Sequence, residues 1–191
     1  MSNWLNTNSF NIKDEYYTPR ILAETIIPYV ESDKIIWCPF DTKKSEVVKA
    51  LKENGNKVIA THIADGYDFF EYEPKEYDLI ISNPPFTLKL EVFERLYKLG
   101  KPFAMIMGLP ILNYHATGDF FLEKDLQLLI VNKKVSFDGN TSSFNNSWFC
   151  NGLLPRDLMF AHVEHTNARQ HFEPSEMEED RERIQAEMIL S

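Results

Sequence analysis

The sequence predicts an α/β fold: a doubly wound, mostly parallel sheet with helices on both faces and an antiparallel C-terminal strand pair. Short, almost continuously apolar runs recur along the chain, as expected for strands buried on both faces of a parallel sheet. Segments with apolar residues at helical spacing alternate with these runs. The 191 residues suit one domain. We predict that domain over residues 16–163, after a polar, Asn-rich arm over 1–15 and before an acidic tail over 164–191.

The first half of the chain alternates helix-like and strand-like segments. Thr18 followed by Pro19 is typical of a helix start, with Thr18 as the N-cap. Gly55 and Gly100 each follow a helix-like segment and are predicted to end it. The further elements are predicted in this order: a strand from Lys34 that ends at Pro39, a helix over Thr42–Asn54, strands over Lys57–Ile63 and Tyr77–Ser82, a helix over Leu88–Leu99 and a strand over Pro102–Leu109.

The second half contains two further strand-like runs, Asp125–Val135 and Asp157–Val163. No helix-length segment separates them. Because a loop suffices to join antiparallel neighbours, whereas parallel neighbours need a longer crossover, we predict an antiparallel pair. The segment Ser136–Arg156 is then predicted to be the connecting loop.

The composition disfavours a membrane protein and a protein that coats duplex DNA. No apolar run approaches the roughly 18 residues of a membrane span, and the N-terminal segment lacks the features of a secretory signal, which predicts a cytoplasmic protein. The formal net charge is −9, of which residues 164–191 contribute −5, from 3 basic and 8 acidic residues. The mildly acidic remainder permits a local contact with a nucleic acid. Cys38 and Cys150 are predicted to be reduced, and no metal site is predicted.

Residues that follow the strand-like runs are the candidates for function, because ligands of a doubly wound sheet bind outside the carboxyl ends of its strands. Asn83-Pro84-Pro85-Phe86 follows Tyr77–Ser82. The two prolines restrict the backbone, so the Asn83 side chain and a neighbouring carbonyl form a rigid pair of acceptors beside an aromatic ring. This pattern suits a planar group that carries an NH₂. The alternative is that Asn-Pro-Pro only ends a strand.

Three segments together resemble a known family. Asp78-Leu-Ile-Ile-Ser-Asn-Pro-Pro-Phe86 is similar to the signature of the amino-methyltransferases, S-adenosylmethionine-dependent enzymes in which D/N/S-P-P-Y/F/W follows the fourth strand. Tyr17-Thr18-Pro19 resembles the family's Y-T-P segment, and Tyr67-Asp68-Phe69-Phe70 resembles its third motif. The resemblance covers about residues 16–110 and implies a Rossmann-like class I methyltransferase fold. The compact chain looks most like small, phage-type adenine methyltransferases.

The resemblance also implies S-adenosylmethionine as cofactor and assigns residues to it. The implied cofactor contacts are Tyr17, Thr18, Pro19, Pro39, Phe40, Asp41, His62, Asp68 and Phe69. Two departures from the family's pattern bear on this set: the turn after the first strand contains no glycine, and no carboxylate directly follows the second strand. Asp41, His62 or Asp65 is left as the residue that binds the ribose.

The implied reaction is transfer of a methyl group to the exocyclic N6 of adenine. Asn83, Pro84, Pro85 and Phe86 are the implied catalytic residues. Asn83 and the Pro84 carbonyl accept the two N–H bonds of N6, which frees its lone pair, while Phe86 stacks on the base. The adenine must be unpaired or extruded. Phe86 and Trp148 are the candidate substrate contacts, and the alternative for Trp148 is that it fills the core.

The residues therefore predict an N6-adenine methyltransferase that acts on nucleic acid, with DNA favoured over RNA. The same signature occurs in enzymes that methylate RNA adenine or protein glutamine, so these targets stay open. A further alternative is a catalytically silent module that binds nucleic acid or a partner. The sequence predicts no oligomeric state.

Overall fold

The computed structural model describes residues 18–136 and 143–164, apart from the side chains of Phe86, Ser136, Ser143 and Phe144. The predicted arm over 1–15, Tyr17 and the acidic tail beyond residue 164 lie outside the described residues.

The described chain contains four α-helices and nine strands. The helices are α1 (Arg20–Ala23), α2 (Glu46–Glu53), α3 (Lys89–Leu99) and α4 (His115–Phe121). The strands are β1 (Ile35–Cys38), β2 (Lys57–Ala60), β3 (Leu79–Ser82), β4 (Phe103–Gly108), β5 (Gln127–Val131), β6 (Val135–Ser136), β7 (Ser143–Phe144), β8 (Asn146–Asn151) and β9 (Leu158–Ala161). Short 3₁₀ turns over Ile27–Tyr29, Ile63–Asp65, Phe86–Leu88 and Leu109–Asn113 connect several of these elements.

Seven of the strands form one sheet in the order β2-β1-β3-β4-β8-β5-β9. The first four strands of that order are mutually parallel, and β5 is parallel to β9. Strand β8 is antiparallel to both of its neighbours, β4 and β5. The small pair β6-β7 stands apart from the main sheet. This topology confirms the predicted α/β class.

The prediction for the last strands was wrong in its pairing. The runs that contain β5 and β9 pair in parallel, with Leu129 beside Met159, and not antiparallel. The antiparallel strand is β8, which lies inside the segment predicted as a loop. It occupies the middle of the sheet and supplies the reversal between β4 and β5. Its sequence, NSWFCN, mixes polar and apolar residues, so its period did not identify a strand.

Helices cover both faces of the sheet, as the doubly wound prediction requires. On one face, α1 and α2 pack Leu22, Val48 and Leu51 into a cluster with Ile106 and Trp148 of the sheet. On the other face, α3 packs Val92, Phe93 and Leu96 against Trp37 and Phe149. These side chains are essentially inaccessible to solvent. Burial of these two apolar clusters on opposite faces fixes the sheet between the two layers of helices.

Two helices begin later than predicted. Thr18 is not an N-cap: Pro19 has an extended backbone (φ −62°, ψ 142°), and its carbonyl accepts from Leu22 N and Ala23 N. The residue before a proline is also pushed towards extended geometry, so α1 starts only at Arg20. Helix α2 starts at Glu46 because Ser45 is its N-cap, with Ser45 Oγ accepting from Val47 N at 3.2 Å.

The segment that contains α1 runs across one face of the sheet to its amino edge. Asn54 and Asn56, which precede β2 at the amino edge, donate to Val30 O at 3.1 Å and Glu31 O at 2.8 Å. The chain has therefore reached the amino edge by residue 30. Midway, Thr25 Oγ1 accepts from Trp148 Nε1 at 2.8 Å. Nearer the start of the segment, Arg20 Nη1 donates to Glu53 Oε1 at 3.2 Å, at the end of α2.

Cys38 and Cys150 are free and buried, and burial raises the pKa of both thiols well above the usual range. Within residues 18–136 and 143–164, no helix has the length and apolar character that a membrane crossing requires. The same described ranges hold no group of three or more His, Cys, Asp or Glu side chains suited to a metal ion.

Candidate active site at the carboxyl ends of the strands

The Asn-Pro-Pro segment and the turn after β1 are neighbours at the carboxyl edge of the sheet. Strands β1 and β3 are paired in parallel, with Trp37 beside Ile80. Pro39–Asp41 directly follows β1, and Asn83 directly follows β3. In the chain β3 is the third strand and not the fourth, because the connection between β2 and β3 contains no strand.

Asp41 fastens these two strand ends together. Ser45 Oγ donates to Asp41 Oδ1 and Ser82 Oγ donates to Asp41 Oδ2, each at 2.5 Å. The backbone N–H of Asn83 also donates to this carboxylate. Burial raises the pKa of Asp41, and the three donors together with nearby His62 oppose that rise.

This geometry gives the Asp41 side chain a structural role. Its side chain is 6% exposed, and both carboxylate oxygens accept hydrogen bonds from the protein itself. A carboxylate that binds a ribose must present an oxygen to the ligand. Both oxygens of Asp41 instead accept hydrogen bonds within the protein, from Ser45 in the following turn and from Ser82 at the end of β3. Among the residues left open for the ribose, the structure disfavours Asp41.

Asn83 is half-buried between the strand end and a rigid proline pair. Pro84 is buried, and Pro85 has φ −62° and ψ 134°, so the chain leaves the strand in an extended form. The next residue, Phe86, begins a 3₁₀ turn that leads into α3; its side chain is outside the described part of the structure. The backbone around Asn83 is thus fixed from both sides, by Asp41 before it and by two prolines after it.

The aromatic candidates meet beside the turn after β1. The rings of Phe40 and Phe69 lie 4.7 Å apart between centroids, and Phe69 also lies 5.5 Å from Trp37. Phe69 is only 3% exposed and Arg95 Cζ sits 5.3 Å from its ring centroid, so it is part of the core. Phe40 is half-buried and presents the more accessible ring of the pair.

Asp68 and His62 take part in local turns. Asp68 is half-buried, and its Oδ1 accepts from the backbone N–H of Phe70 at 2.8 Å. His62 is 7% exposed, and its Nδ1 accepts from Ala64 N at 3.2 Å, which caps the 3₁₀ turn over Ile63–Asp65. Asp65 is exposed within that turn. Of the two carboxylates, Asp68 is the chain neighbour of Phe69, which packs against Phe40.

Two buried hydroxyls lack partners in the described chain. Thr18 and Thr42 are 4% and 9% exposed, and neither Oγ1 has a hydrogen-bond partner within residues 18–136 and 143–164. Most buried polar side chains are hydrogen-bonded, so these hydroxyls are available to water or to a ligand. Thr42 follows Asp41 directly, in the turn after β1.

Trp148 belongs to the core and not to a substrate surface. It lies in the middle of β8 with no solvent exposure, beside Ile106 and Leu129. Its Nε1 donates to Thr25 Oγ1 at 2.8 Å, which satisfies its polar atom inside the protein. The prediction that Trp148 stacks on the target base is therefore wrong, and the core-filling alternative is correct.

An exposed aromatic ring and a lysine stand at the rim. Tyr114 follows the turn after β4 and is 48% exposed, and Lys89 Nζ lies 4.5 Å from its ring centroid. Lys89 begins α3, immediately after the turn that follows the Asn-Pro-Pro segment. His115, next to Tyr114, is exposed as well. A ring and a cation at this position suit contact with a nucleotide.

Sequence reasoning missed the roles of Ser45 and Ser82. A signal for Ser82 existed, because a serine ends an otherwise apolar strand. Nothing in the sequence indicated that Ser45 and Ser82 share one carboxylate, since 37 positions separate them and only the pairing of β1 with β3 brings them together.

Comparison with solved structures identifies the fold. A type I restriction-modification system methyltransferase subunit from Streptococcus thermophilus matches with a TM-score of 0.50 and 11% identity, over 91% of this chain and 53% of that chain. The present chain thus spans about half the length of that subunit. At this identity the likeness establishes the fold alone, that of a methyltransferase, and it agrees with the predicted fold class.

Two further solved structures show weaker overlap. A predicted O-methyltransferase from Agrobacterium tumefaciens has a TM-score of 0.48 and 10% identity, over 87% of this chain and 96% of that chain. A release factor-specific protein-(glutamine-N5) methyltransferase from Alicyclobacillus acidocaldarius has a TM-score of 0.39 and 14% identity, over 69% and 90%. No protein-family model and no curated protein sequence matches the chain.

Proposed function

We propose that this protein is an S-adenosylmethionine-dependent methyltransferase that modifies the N6 amine of adenine in nucleic acid, with DNA favoured over RNA. One observation carries the proposal: Asn83, held by two prolines, is joined through Asp41 to the turn that follows β1. Through Asp41, the Asn83 amide, which can accept from a planar amine, is held at the edge of the sheet where ligands of doubly wound folds bind.

The residues at this edge fit the proposed cofactor. Thr18 and Thr42 present buried hydroxyls without partners in the described chain, and Phe40 presents a half-buried ring. Asp68 would accept from the adenine amino group of the cofactor with the oxygen that is not used by Phe70 N. S-Adenosylmethionine supplies a methyl group activated on a sulfonium.

The chain's own residues supply alignment and hydrogen-bond acceptors. The lone pair of adenine N6 is delocalised into the ring, so the amine is a weak nucleophile. In our proposal the Asn83 amide oxygen and the Pro84 carbonyl accept its two N–H bonds and favour a pyramidal nitrogen. Their backbone is fixed by Asp41 and by the prolines, so little reorganisation is required. Phe86 would stack on the base.

The rim residues support a nucleic-acid target. Tyr114 with Lys89 offers a ring for stacking and a cation for phosphate. DNA is the first substrate to test because one protein with a similar fold belongs to a restriction-modification system. Because extrusion of a paired base costs a few kcal/mol, we expect single-stranded or easily opened adenines to react faster than paired ones.

A catalytically silent binding module is the second candidate. The commitment of the Asp41 carboxylate to Ser45 and Ser82, together with the absence of glycine between Pro39 and Thr42, favours it. Calorimetry with S-adenosylmethionine separates the two candidates. Saturable one-site binding supports the enzyme, and no binding at millimolar cofactor supports the silent module.

The decisive experiment measures transfer of a labelled methyl group to duplex DNA, single-stranded DNA, RNA and protein in parallel. We expect label on DNA at adenine N6, with the single strand preferred, and a rate roughly 10²-fold lower with the Asn83→Ala variant. Label on RNA alone or on glutamine would replace the substrate and keep the reaction class. Absence of transfer to all four, with cofactor bound, would refute the proposal.

A further inference from the structure

We infer that Asn146 is a substrate-reading residue, whose side-chain amide donates a hydrogen bond to a ring nitrogen of the target base. This inference rests on the proposed function and deepens it. Asn83 and the Pro84 carbonyl are proposed to accept hydrogen bonds only from the exocyclic amine. The ring nitrogens of the base therefore have no assigned partner in the protein.

Asn146 is buried and its amide has no partner. The residue is 5% exposed, and neither Oδ1 nor Nδ2 forms a hydrogen bond to any residue in the described part of the chain. Burial of an amide without a hydrogen bond costs free energy, and most buried polar side chains avoid it. A site that tolerates this cost points to a molecule that completes the bonding.

A second asparagine shows the usual arrangement. Asn56 is 6% exposed, almost the same as Asn146. Its Nδ2 donates to Glu31 O at 2.8 Å, and its Oδ1 accepts from Asn54 Nδ2 at 2.9 Å. The two asparagines are equally buried, but only Asn56 has hydrogen-bond partners in the described chain. Asn56 is therefore structural, whereas the amide of Asn146 is available to a ligand.

The register of β8 puts Asn146 at the edge that holds Asn83. Because β8 runs antiparallel to β4, its first residue lies beside Gly108, the last residue of β4. Strand β3 is the other neighbour of β4, with Ser82 beside Met105. Asn83 and Asn146 therefore flank the carboxyl end of β4, two strand spacings apart, or roughly 10 Å across the sheet.

Strand alternation selects the face that Asn146 occupies. Successive side chains of a strand point to opposite faces, so Asn146 shares a face with Trp148, which bonds to Thr25 next to α1. Thr18, whose hydroxyl also lacks a partner in the described chain, lies just before α1, which packs on this face. Asn146 therefore lies at the carboxyl end of β4, on the face of the sheet that α1 and α2 cover.

The chemistry of a carboxamide selects the ligand group. In its common pairing with adenine, asparagine donates from Nδ2 to the ring nitrogen N7 and accepts from N6 with Oδ1. Because Asn83 is proposed to accept from N6, the contact left for Asn146 is donation from Nδ2 to a ring nitrogen. An oligonucleotide in which N1, N3 or N7 of the target adenine is replaced by C–H removes one acceptor at a time. We expect wild-type kcat/KM to fall about tenfold or more for one of the three analogues.

The test compares the analogues in wild type, Asn146→Ala and Asn151→Leu. Asn146→Ala should lower kcat/KM on the adenine oligonucleotide about tenfold or more, and should no longer distinguish adenine from the sensitive analogue. Asn151, at the opposite end of β8, donates to Asp125 O at 2.6 Å, and Asn151→Leu should leave kcat/KM and the discrimination unchanged. Full discrimination in Asn146→Ala would overturn the inference.

Thermal unfolding supplies a readout that does not depend on activity. Asn146→Leu should keep or raise the unfolding midpoint, because it removes an unbonded polar group, whereas Asn56→Leu should lower it by about 2–6 °C. A loss in Asn146→Leu as large as that in Asn56→Leu would make Asn146 structural and overturn the inference. If the wild-type protein methylates no adenine substrate, the proposed function is wrong, and the proposed contact between Asn146 and the base is wrong as well.

Discussion

Asp41 and Ser82 join the carboxyl ends of two neighbouring strands: Ser82 Oγ donates to Asp41 Oδ2 at 2.5 Å, and Phe40 N donates to Ser82 Oγ at 3.0 Å. The same two strands are joined at their amino ends by Asp78, whose Oδ2 accepts from Ile35 N at 2.7 Å. The first carboxylate is buried and the second is exposed. Because Asp41 and Asp78 join the same two strands, substitution of each one compares a buried bridge with an exposed bridge.

Asp41→Ala should lower both stability and turnover. It leaves two buried hydroxyls and the Asn83 N–H without their acceptor, so we expect the free energy of unfolding to fall by about 2–4 kcal/mol. Turnover should fall roughly tenfold, because the backbone of Asn83 is less fixed. Urea denaturation and initial rates measure the two effects. Asp78→Ala is the control and should cost less than about 1 kcal/mol at unchanged turnover; equal costs for the two variants would contradict the buried bridge.

The pH dependence of stability should differ between wild type and Asp41→Asn. Burial raises the pKa of Asp41 above its ordinary value of 3.8, so the folded protein binds this proton more tightly than the unfolded chain. The resulting stabilisation is fully present below pH 3.8 and is lost as the pH rises through the folded pKa. The difference in unfolding free energy, wild type minus variant, should therefore fall from acid towards neutral pH. Urea denaturation of both proteins across that range measures it, and a rising difference would show that the pKa is lowered.

Asp68→Asn should weaken S-adenosylmethionine binding by about tenfold. The amide keeps an oxygen for the Phe70 N–H and so preserves the turn, but it removes the charge from the hydrogen bond to the cofactor. Calorimetry measures the affinity. Asp68→Ala also removes the acceptor of the turn and should bind no better than Asp68→Asn. Wild-type affinity in Asp68→Asn would remove this carboxylate from the cofactor site.

Asn83→Ala should separate binding from catalysis. We expect cofactor affinity within a few-fold of wild type and turnover lower by roughly 10²-fold, the scale seen when one preorganised polar group is removed. Asn83→Asp should retain more activity than Asn83→Ala, because a carboxylate still accepts the hydrogen bond. Single-turnover rates and calorimetry test this together. A parallel loss of affinity and turnover would mean that Asn83 serves the cofactor and not the amine.

Trp148→Phe should affect stability and leave substrate binding unchanged. It removes the Nε1 donor to Thr25 and reduces the volume of a fully buried side chain, so the free energy of unfolding should fall by about 1–3 kcal/mol. KM for the oligonucleotide should stay at the wild-type value in a steady-state assay. A large increase in KM with unaltered stability would restore Trp148 as a substrate contact.

The sequence by itself determined the parallel half of the sheet and the position of the Asn-Pro-Pro segment. Strands β1, β3 and β4 are short apolar runs ended by proline, serine or glycine, and such local signals persist in the fold because these strands are buried on both faces. Likewise, Gly100 ends α3 with φ +65°, which favours glycine.

Only the tertiary structure decided how β8 pairs, what Asp41 does and where Trp148 points. Each depends on contacts between residues far apart in the chain: β8 inserts between β4 and β5, Asp41 accepts from Ser82, and Trp148 donates to Thr25. A residue's own neighbours in sequence do not encode its partner across a sheet, because strand order is set by the packing of the whole domain. For the same reason the buried, unbonded amide of Asn146 becomes visible only once its strand has a place in the sheet.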